Sequence, residues 1–122
     1  MPETIRSLRS GYSASSLAAQ QHITALVDGT ALTLSECPVL MLRPRAWNMT
    51  EHNVLVSGKV CTAPLVDFGL LMWHNCYALH EQGAGPFFYL SKLEGSTEAR
   101  LWREIFLWSE AELGLPRGTV KA

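Results

Sequence analysis

The stretch PVLMLRPRAW at positions 38–47 decides the fold, because it contains an apolar run that a proline brings to an end. Positions 38–42 have the length of a β-strand and carry no polar residue on either face, which is typical of a strand covered on both sides in a parallel sheet. Pro44 disfavours a central strand and biases Arg43 towards extended backbone geometry. The stretch therefore predicts a buried parallel strand that ends at Arg43.

Downstream of this strand, the chain alternates between helical and extended patterns. Asp67 is a suitable N-cap for a helix with apolar residues at three-and-four spacing, and Gly83 is placed to close it. An aromatic-rich stretch at positions 87–90 then has the character of a second parallel strand.

A second amphipathic helix is predicted from Ser96, which can cap it, to the stop formed by Gly114 and Pro116. The residues at 119–122 have the character of a further strand that is cut off. The order strand, helix, strand, helix predicts right-handed βαβ units of the α/β class.

Two short β-hairpins are expected in addition. Strand-like residues at positions 22–34 flank Asp28-Gly29, a pair that favours a type I′ turn, and positions 54–60 form a second, solvent-facing hairpin around Ser57-Gly58. Residues 1–21 form a poorly specified N-terminal segment, so the domain is placed at residues 22–122.

Composition limits the function classes. The chain has 122 residues, is 48% hydrophobic and 17% charged, and carries a net charge of -1, which fits one globular domain at most. Such a balance gives no basic field for nucleic acid or an anionic membrane, and no apolar stretch approaches the roughly 20 residues that span a bilayer. Neither nucleic acid nor a membrane is an expected partner.

The cysteines and histidines do not predict a metal site. Cys37, Cys61 and Cys76 are odd in number and far apart, so they are interpreted as buried or neutral thiols. His74 and His80 lie six residues apart and not at the i, i+4 spacing of a ligand pair.

Four segments, in order, carry a family resemblance. The chain resembles the A-type malate synthases in LRPRAW, in DFGL followed by HN, in GPFFYLSKLE, and in EARLW together with LPRGTVKA, at positions 42–47, 67–75, 85–94, 98–102 and 115–122. The likeness runs from about the first hairpin to Ala122.

This resemblance implies a fragment of a (β/α)8 TIM barrel, a βαβα piece with added β-hairpins. The family's full enzyme condenses acetyl-CoA with glyoxylate and water to give malate and CoA in the glyoxylate cycle, with Mg²⁺ in the site. In that enzyme an aspartate is the base and an arginine stabilises the enolate oxygen; the arginine matches Arg43, at the carboxyl end of a strand where barrel active sites lie. The aspartate and the metal-binding carboxylates fall beyond Ala122, so the chain alone is expected to be inactive, with no metal ligand and no known cofactor-binding residue.

The chain departs from the family pattern at Ala46, Asn48 and Ser91, where the family has glycine, histidine and proline. Arg45, Lys92 and Glu94 also lie near strand ends and are interpreted as structural or supporting residues. The four tryptophans are interpreted as core or interface residues rather than as substrate platforms: Trp47, Trp73, Trp102 and Trp108.

Two alternatives stay open. One is a truncated, catalytically inactive product that acts at most as a binding or interaction module, and the other is a different CoA-dependent lyase-type barrel. Localisation is expected to be cytoplasmic, or peroxisomal or glyoxysomal in a eukaryote; the oligomeric state is not predicted.

Overall fold

The computed structural model describes residues 25–27, 30–32 and 39–122. The segment 1–21 and Cys37 lie outside these described ranges. The regular elements are β1 (Ala25–Val27), β2 (Thr30–Leu32), β3 (Thr50–Val56), β4 (Lys59–Thr62), α1 (Ala63–Glu81) and α2 (Ser96–Glu112).

Both predicted hairpins are confirmed. β1 and β2 are antiparallel, with Val27 opposite Thr30 across the predicted two-residue turn, whose own residues lie outside the described ranges. β3 and β4 are also antiparallel and turn at Ser57 and Gly58, whose φ angles are 52° and 74°. Two successive positive φ angles are what a type I′ turn requires. The tip of this second hairpin is exposed, as expected for a solvent-facing element.

Three segments of the chain run parallel and form the nucleus of a sheet. Leu42 pairs with Phe88 and Phe87 pairs with Lys121, both in the parallel sense, so the segment around Phe88 lies in the middle. The amide of Tyr89 donates to the carbonyl of Leu42 at 2.9 Å, and the amide of Phe88 donates to the carbonyl of Lys121 at 2.7 Å. The predicted parallel arrangement is confirmed.

The parallel pairing is shorter than the apolar runs that predicted it. The bridges are isolated, and Val39, Leu40 and Met41 are unpaired and exposed rather than buried in a strand. An apolar run favours burial only where a neighbouring element covers it, and the described elements cover only one face of this sheet.

Gly85 fixes the entry into the middle segment. Its φ of +136° lies in a region that side chains disfavour, and a Cβ atom there would lie 2.8 Å from the backbone nitrogen of Phe87. Glycine is therefore required at this position by both backbone conformation and space.

The N-cap of α1 lies five residues before the predicted one. It is Thr62, and Pro64 lies in the first turn of the helix, where the missing amide of proline costs nothing. Asp67 is therefore not the N-cap that the sequence suggested but lies in the second turn. At the other end, Gly83 has a φ of 65° just beyond the helix, in agreement with its expected closing role.

α2 matches its predicted span closely. Ser96 is its first residue and Gly95 takes the N-cap position, so the predicted cap is wrong by one residue. The helix ends at Glu112, and Gly114 follows with a φ of 63°.

The two helices pack on one face of the parallel segments through aromatic side chains. Phe68 of α1 lies 5.0 Å from Phe88 and 5.4 Å from Phe106 of α2, measured between ring centroids. Trp102 lies 5.7 Å from Phe68 and 5.4 Å from Trp47. Such offset and edge contacts add to the area-based stabilisation of a core. The buried core is completed by Leu71, Met72, Cys76, Leu79, Leu115 and Val120.

Candidate active site

The parallel segments present two chemically different faces. Leu42, Phe88 and Val120 belong to the helix-covered core or pack against it. Because successive side chains of an extended chain point to opposite faces, Arg43 and Tyr89 lie on the other face. Both are exposed, so the face away from the helices carries the accessible polar groups.

Arg43 follows the Leu42 bridge and lies at the carboxyl end of the parallel pair, as predicted. The Cζ atom of its guanidinium lies over the ring of Tyr89, 5.4 Å from the centroid. This distance is within the range in which a cation is attracted by the negative face of an aromatic ring. The arginine is therefore held by a residue of the neighbouring strand segment.

A second cation lies on the same face, one side-chain layer nearer the amino ends. The Nζ atom of Lys121 lies 5.8 Å from the centroid of the Phe87 ring. Since Phe87 and Tyr89 are two residues apart, the two cation–ring pairs are offset by roughly 7 Å along the strand direction. The central segment thus supplies both rings, and the flanking segments supply the cations.

Arg45 has a different environment, although it is only two residues from Arg43. Its Nε and Nη2 donate to the two carboxylate oxygens of Asp67 at 2.9 Å each, and Nη1 donates to Glu51 at 2.8 Å. The backbone amide of Arg45 also donates to Asp67 at 2.9 Å. This network ties the loop that leaves the first parallel segment to α1 and β3, so the interpretation of Arg45 as a structural residue agrees with its contacts.

Glu51 is the buried end of this network, with no exposed surface. Its Oε1 accepts hydrogen bonds from the backbone and side-chain amides of Asn53, both at 2.9 Å. The backbone amide of Asn53 and then the Arg45 guanidinium hold the pKa of Glu51 below its ordinary value, against the opposing effect of burial. Burial disfavours the charge of Arg45, but the hydrogen bonds and charges of Asp67 and Glu51 outweigh it, and its pKa is raised.

Lys92 and Glu94 lie in the loop that follows the middle segment. Lys92 is exposed and has a φ of 55°, a left-handed conformation that is uncommon outside glycine. The backbone amide of Glu94 donates to the carboxylate of Glu98 in the first turn of α2 at 2.7 Å. A structural role for these two residues stays a prediction.

The described residues do not form a binding site for Mg²⁺. Within residues 39–122, no group of three or more His, Cys, Asp or Glu is arranged to hold a metal ion. The carboxylates of Asp67 and Glu51 are engaged by Arg45 and Asn53, and that of Glu110 accepts two backbone amides. No step of the chemistry is therefore assigned to a metal on these residues.

The cysteines and histidines of the described region differ in exposure. Cys76 is buried in the core, and desolvation raises the pKa of its thiol; Cys61 is half-buried. His74 and His80 are exposed on α1. Trp47 and Trp102 contribute to the core, whereas Trp73 and Trp108 are exposed.

Three residues of structural importance were not singled out correctly from the sequence. Tyr89 appeared only as part of an aromatic-rich stretch, Asp67 appeared as a helix cap, and Glu110 was not singled out at all. Glu110 is in fact 3% exposed, and its two oxygens accept the amides of Gly118 at 3.0 Å and Val120 at 2.8 Å. The alternation of side chains along paired strands could have placed Tyr89 on the same face as Arg43. The sequence near Asp67 and Glu110 contains no pattern that indicates their hydrogen-bond partners.

Parallel segments joined by helices define a partial α/β domain, in which Arg43 lies at the carboxyl end of one parallel pair. Comparison with known proteins specifies which one: residues 39–122 match the family model of the malate synthase TIM barrel domain. The chain belongs to the malate synthase family.

Its curated relatives are much longer than the chain. It is similar to a malate synthase of Myxococcus xanthus (strain DK1622), with 46% identity over 84 residues, which are 69% of the chain and 16% of that protein. A bifunctional glyoxylate cycle protein of Caenorhabditis elegans is 48% identical over 83 residues, or 68% of the chain and 9% of that protein. A glyoxysomal malate synthase of Candida tropicalis is 36% identical over 110 residues, or 86% of the chain and 20% of that protein. The chain thus corresponds to a fragment of these relatives.

No helix in residues 39–122 is both long and apolar enough to cross a membrane.

Proposed function

We propose that this chain supplies the enolate-stabilising arginine, Arg43, to a malate synthase active site. The reaction is the condensation of acetyl-CoA with glyoxylate and water to give malate and CoA, as the family resemblance implies. Small-molecule substrates are thus the proposed partners. The proposed compartment is the cytoplasm, or a glyoxysome-type organelle in a eukaryote, since the Candida tropicalis relative is a glyoxysomal malate synthase.

The chemistry needs a fixed positive group. A base removes a proton from the methyl group of acetyl-CoA, and the electron pair moves onto the thioester oxygen. The resulting enolate carbon forms a bond to the carbonyl carbon of glyoxylate, and water then cleaves the thioester to release CoA. Charge that develops on the enolate oxygen is stabilised by preorganised donors, and a guanidinium supplies several in one plane.

The residues that this chain contributes would stabilise the enolate oxygen and would not remove the methyl proton of acetyl-CoA. Arg43 would donate N–H groups to the enolate oxygen, while Arg45 holds the loop behind it. By the family resemblance, the base would be an aspartate beyond Ala122, and carboxylates that also lie beyond Ala122 would hold Mg²⁺, which would supply polarisation of the glyoxylate carbonyl. Both therefore stay proposals about the longer enzyme.

One observation supports the proposal most directly. Residues 39–122 match the barrel domain. Within them, the Arg43 guanidinium lies on the sheet face opposite the helices, at the carboxyl end of the two segments that pair at Leu42 and Phe88. Active sites of β/α barrels are built at that end of the strands. An arginine with only a salt-bridge role would be expected to meet carboxylates, as Arg45 does.

A chimeric enzyme tests this role. Residues 39–122 would replace the matched 84-residue segment of the Myxococcus xanthus malate synthase. Because an oxyanion donor acts mainly in the transition state, Arg43→Ala should lower kcat by about 100- to 1,000-fold, as loss of such a donor does elsewhere. Arg43→Lys keeps the charge but not the planar fork, so it should give an intermediate loss. CoA release with acetyl-CoA and glyoxylate is the readout.

Arg103→Ala is the matched control, because Arg103 is an exposed arginine on α2. It should leave kcat unchanged. Circular dichroism establishes that each variant is folded. An Arg43→Ala chimera as active as its parent, or a folded parent chimera without activity, would overturn the proposal.

A further inference from the structure

We propose that Tyr89 is a positioning residue for Arg43: its ring face holds the guanidinium in place and leaves the N–H donors free for an oxyanion. This inference rests on the proposed catalytic role of Arg43. It goes beyond that role, because it assigns the orientation of the guanidinium to Tyr89 in the neighbouring strand segment.

The sheet register brings the two side chains together. Leu42 is bridged to Phe88 in the parallel sense, and the amide of Tyr89 donates to the carbonyl of Leu42 at 2.9 Å. Arg43 and Tyr89 each follow the bridged residue, so they occupy the same layer on the same face. The Cζ atom accordingly lies 5.4 Å from the ring centroid.

The choice of an aromatic partner has a chemical consequence. Arg45 is held by the carboxylates of Asp67 and Glu51, which occupy its Nε, Nη1 and Nη2 donors. A carboxylate beside Arg43 would occupy its donors in the same way and compete with a developing enolate. A ring face attracts the cation through its quadrupole without accepting strong hydrogen bonds.

The contact with the Tyr89 ring is important because the Arg43 side chain is exposed and has few other restraints on its conformation. Arg43 and Tyr89 are both exposed in the described part of the chain, and a free arginine side chain has many rotamers. A group that stabilises charge in the transition state is effective only when it is already oriented. The ring limits the guanidinium to a region above the sheet face, which is where substrate oxygens would meet it.

The test uses the chimera described above. Tyr89→Phe keeps the ring and should keep kcat, whereas Tyr89→Leu removes the ring and should lower kcat by about three- to tenfold with little change in KM. Phenylalanines with increasing numbers of ring fluorines at position 89 should lower kcat stepwise, because fluorine weakens the negative face of the ring. The same substitutions at position 87, whose ring contacts Lys121, are the control and should not produce this trend.

A double-mutant cycle separates positioning from general structure. In the Arg43→Ala background, Tyr89→Leu should have no further effect on kcat, because the ring acts through the guanidinium. An undiminished effect in that background, or unchanged kcat across the leucine and fluorinated variants, would overturn the inference while leaving the role of Arg43 intact. Full activity of Arg43→Ala alone would instead overturn the proposed function and this inference with it.

Discussion

Arg43 and Arg45 are two residues apart and have opposite surroundings. Arg43 faces an aromatic ring and solvent, whereas Arg45 makes charge-assisted hydrogen bonds to two carboxylates. Charge-assisted, two-pronged pairs of this kind are among the stronger polar contacts in proteins. The Arg-Pro-Arg stretch therefore combines one accessible cation with one that fixes the loop.

Glu51 gives this network a pH dependence. Its pKa is lowered in the folded chain, so it binds fewer protons there than in the unfolded chain, where the carboxyl group has its ordinary pKa value. The stabilisation is fully present above that value and is lost as the pH falls through the folded-state pKa. We expect Glu51→Gln to be less stable than the parent chain at pH 7 and the difference to shrink below about pH 4.

Urea unfolding of the 122-residue chain, followed by tryptophan fluorescence at sub-micromolar concentration, measures this difference. Glu81→Gln is the control, since Glu81 is an exposed glutamate at the end of α1. If the difference in unfolding free energy between Glu51→Gln and the parent stays constant from pH 7 to about pH 3, the proposed link between stability and the protonation of Glu51 is contradicted.

At the scale of elements, Glu110 connects α2 to the third parallel segment. Its carboxylate accepts the amides of Gly118 and Val120, just before the Lys121 bridge. Two converging backbone donors require two acceptor oxygens, which a carboxylate provides. The side chain thus sets where the chain turns from the helix back into the sheet.

We predict that Glu110→Gln lowers the free energy of unfolding by about 1–3 kcal/mol, because one buried amide then faces an NH₂ group instead of an acceptor. Urea unfolding of the isolated chain measures the change. Glu104→Gln, at an exposed position of the same helix, should change stability by less than about 0.5 kcal/mol. Equal effects of the two substitutions would show that the Glu110 contacts contribute nothing.

At the scale of the whole molecule, the described elements cover only one side of the sheet. Val39, Leu40 and Met41 are 70%, 48% and 52% exposed, and the outer helix faces carry Trp73 and Trp108 at 72% and 66%. Contiguous exposed apolar surface and short unpaired strand segments favour association. The chain also spans a sixth or less of the Myxococcus and Caenorhabditis relatives.

We predict that the isolated 122-residue chain releases no CoA above background from acetyl-CoA and glyoxylate with Mg²⁺ added. The reason is that residues 39–122 hold no metal-ligand group and that their buried carboxylates are already engaged. Sedimentation velocity should show self-association that rises with concentration. The chimera supplies the positive control for activity, and turnover by the isolated chain would contradict the proposal that the base lies elsewhere.

The sequence predicted features that depend on local chemistry. Ser57-Gly58 predicted a hairpin because few residue pairs tolerate two positive φ angles, and Gly83 and Gly114 marked the helix ends for the same reason. Positions 38–42 and 87–90 predicted parallel strands from their apolar character. By contrast, the start of α1 was misplaced, because Asp67 has the chemistry of a cap and its actual partner, Arg45, lies 22 residues earlier.

The residue pattern alone thus determined the element order and the turns, and the family motif suggested the role proposed for Arg43. Only the tertiary structure decided which side chains meet: Tyr89 with Arg43, Asp67 and Glu51 with Arg45, and Glu110 with the amides before Lys121. Propensity and periodicity act over one or two helical turns, whereas strand register and helix packing bring together residues that are far apart in the chain.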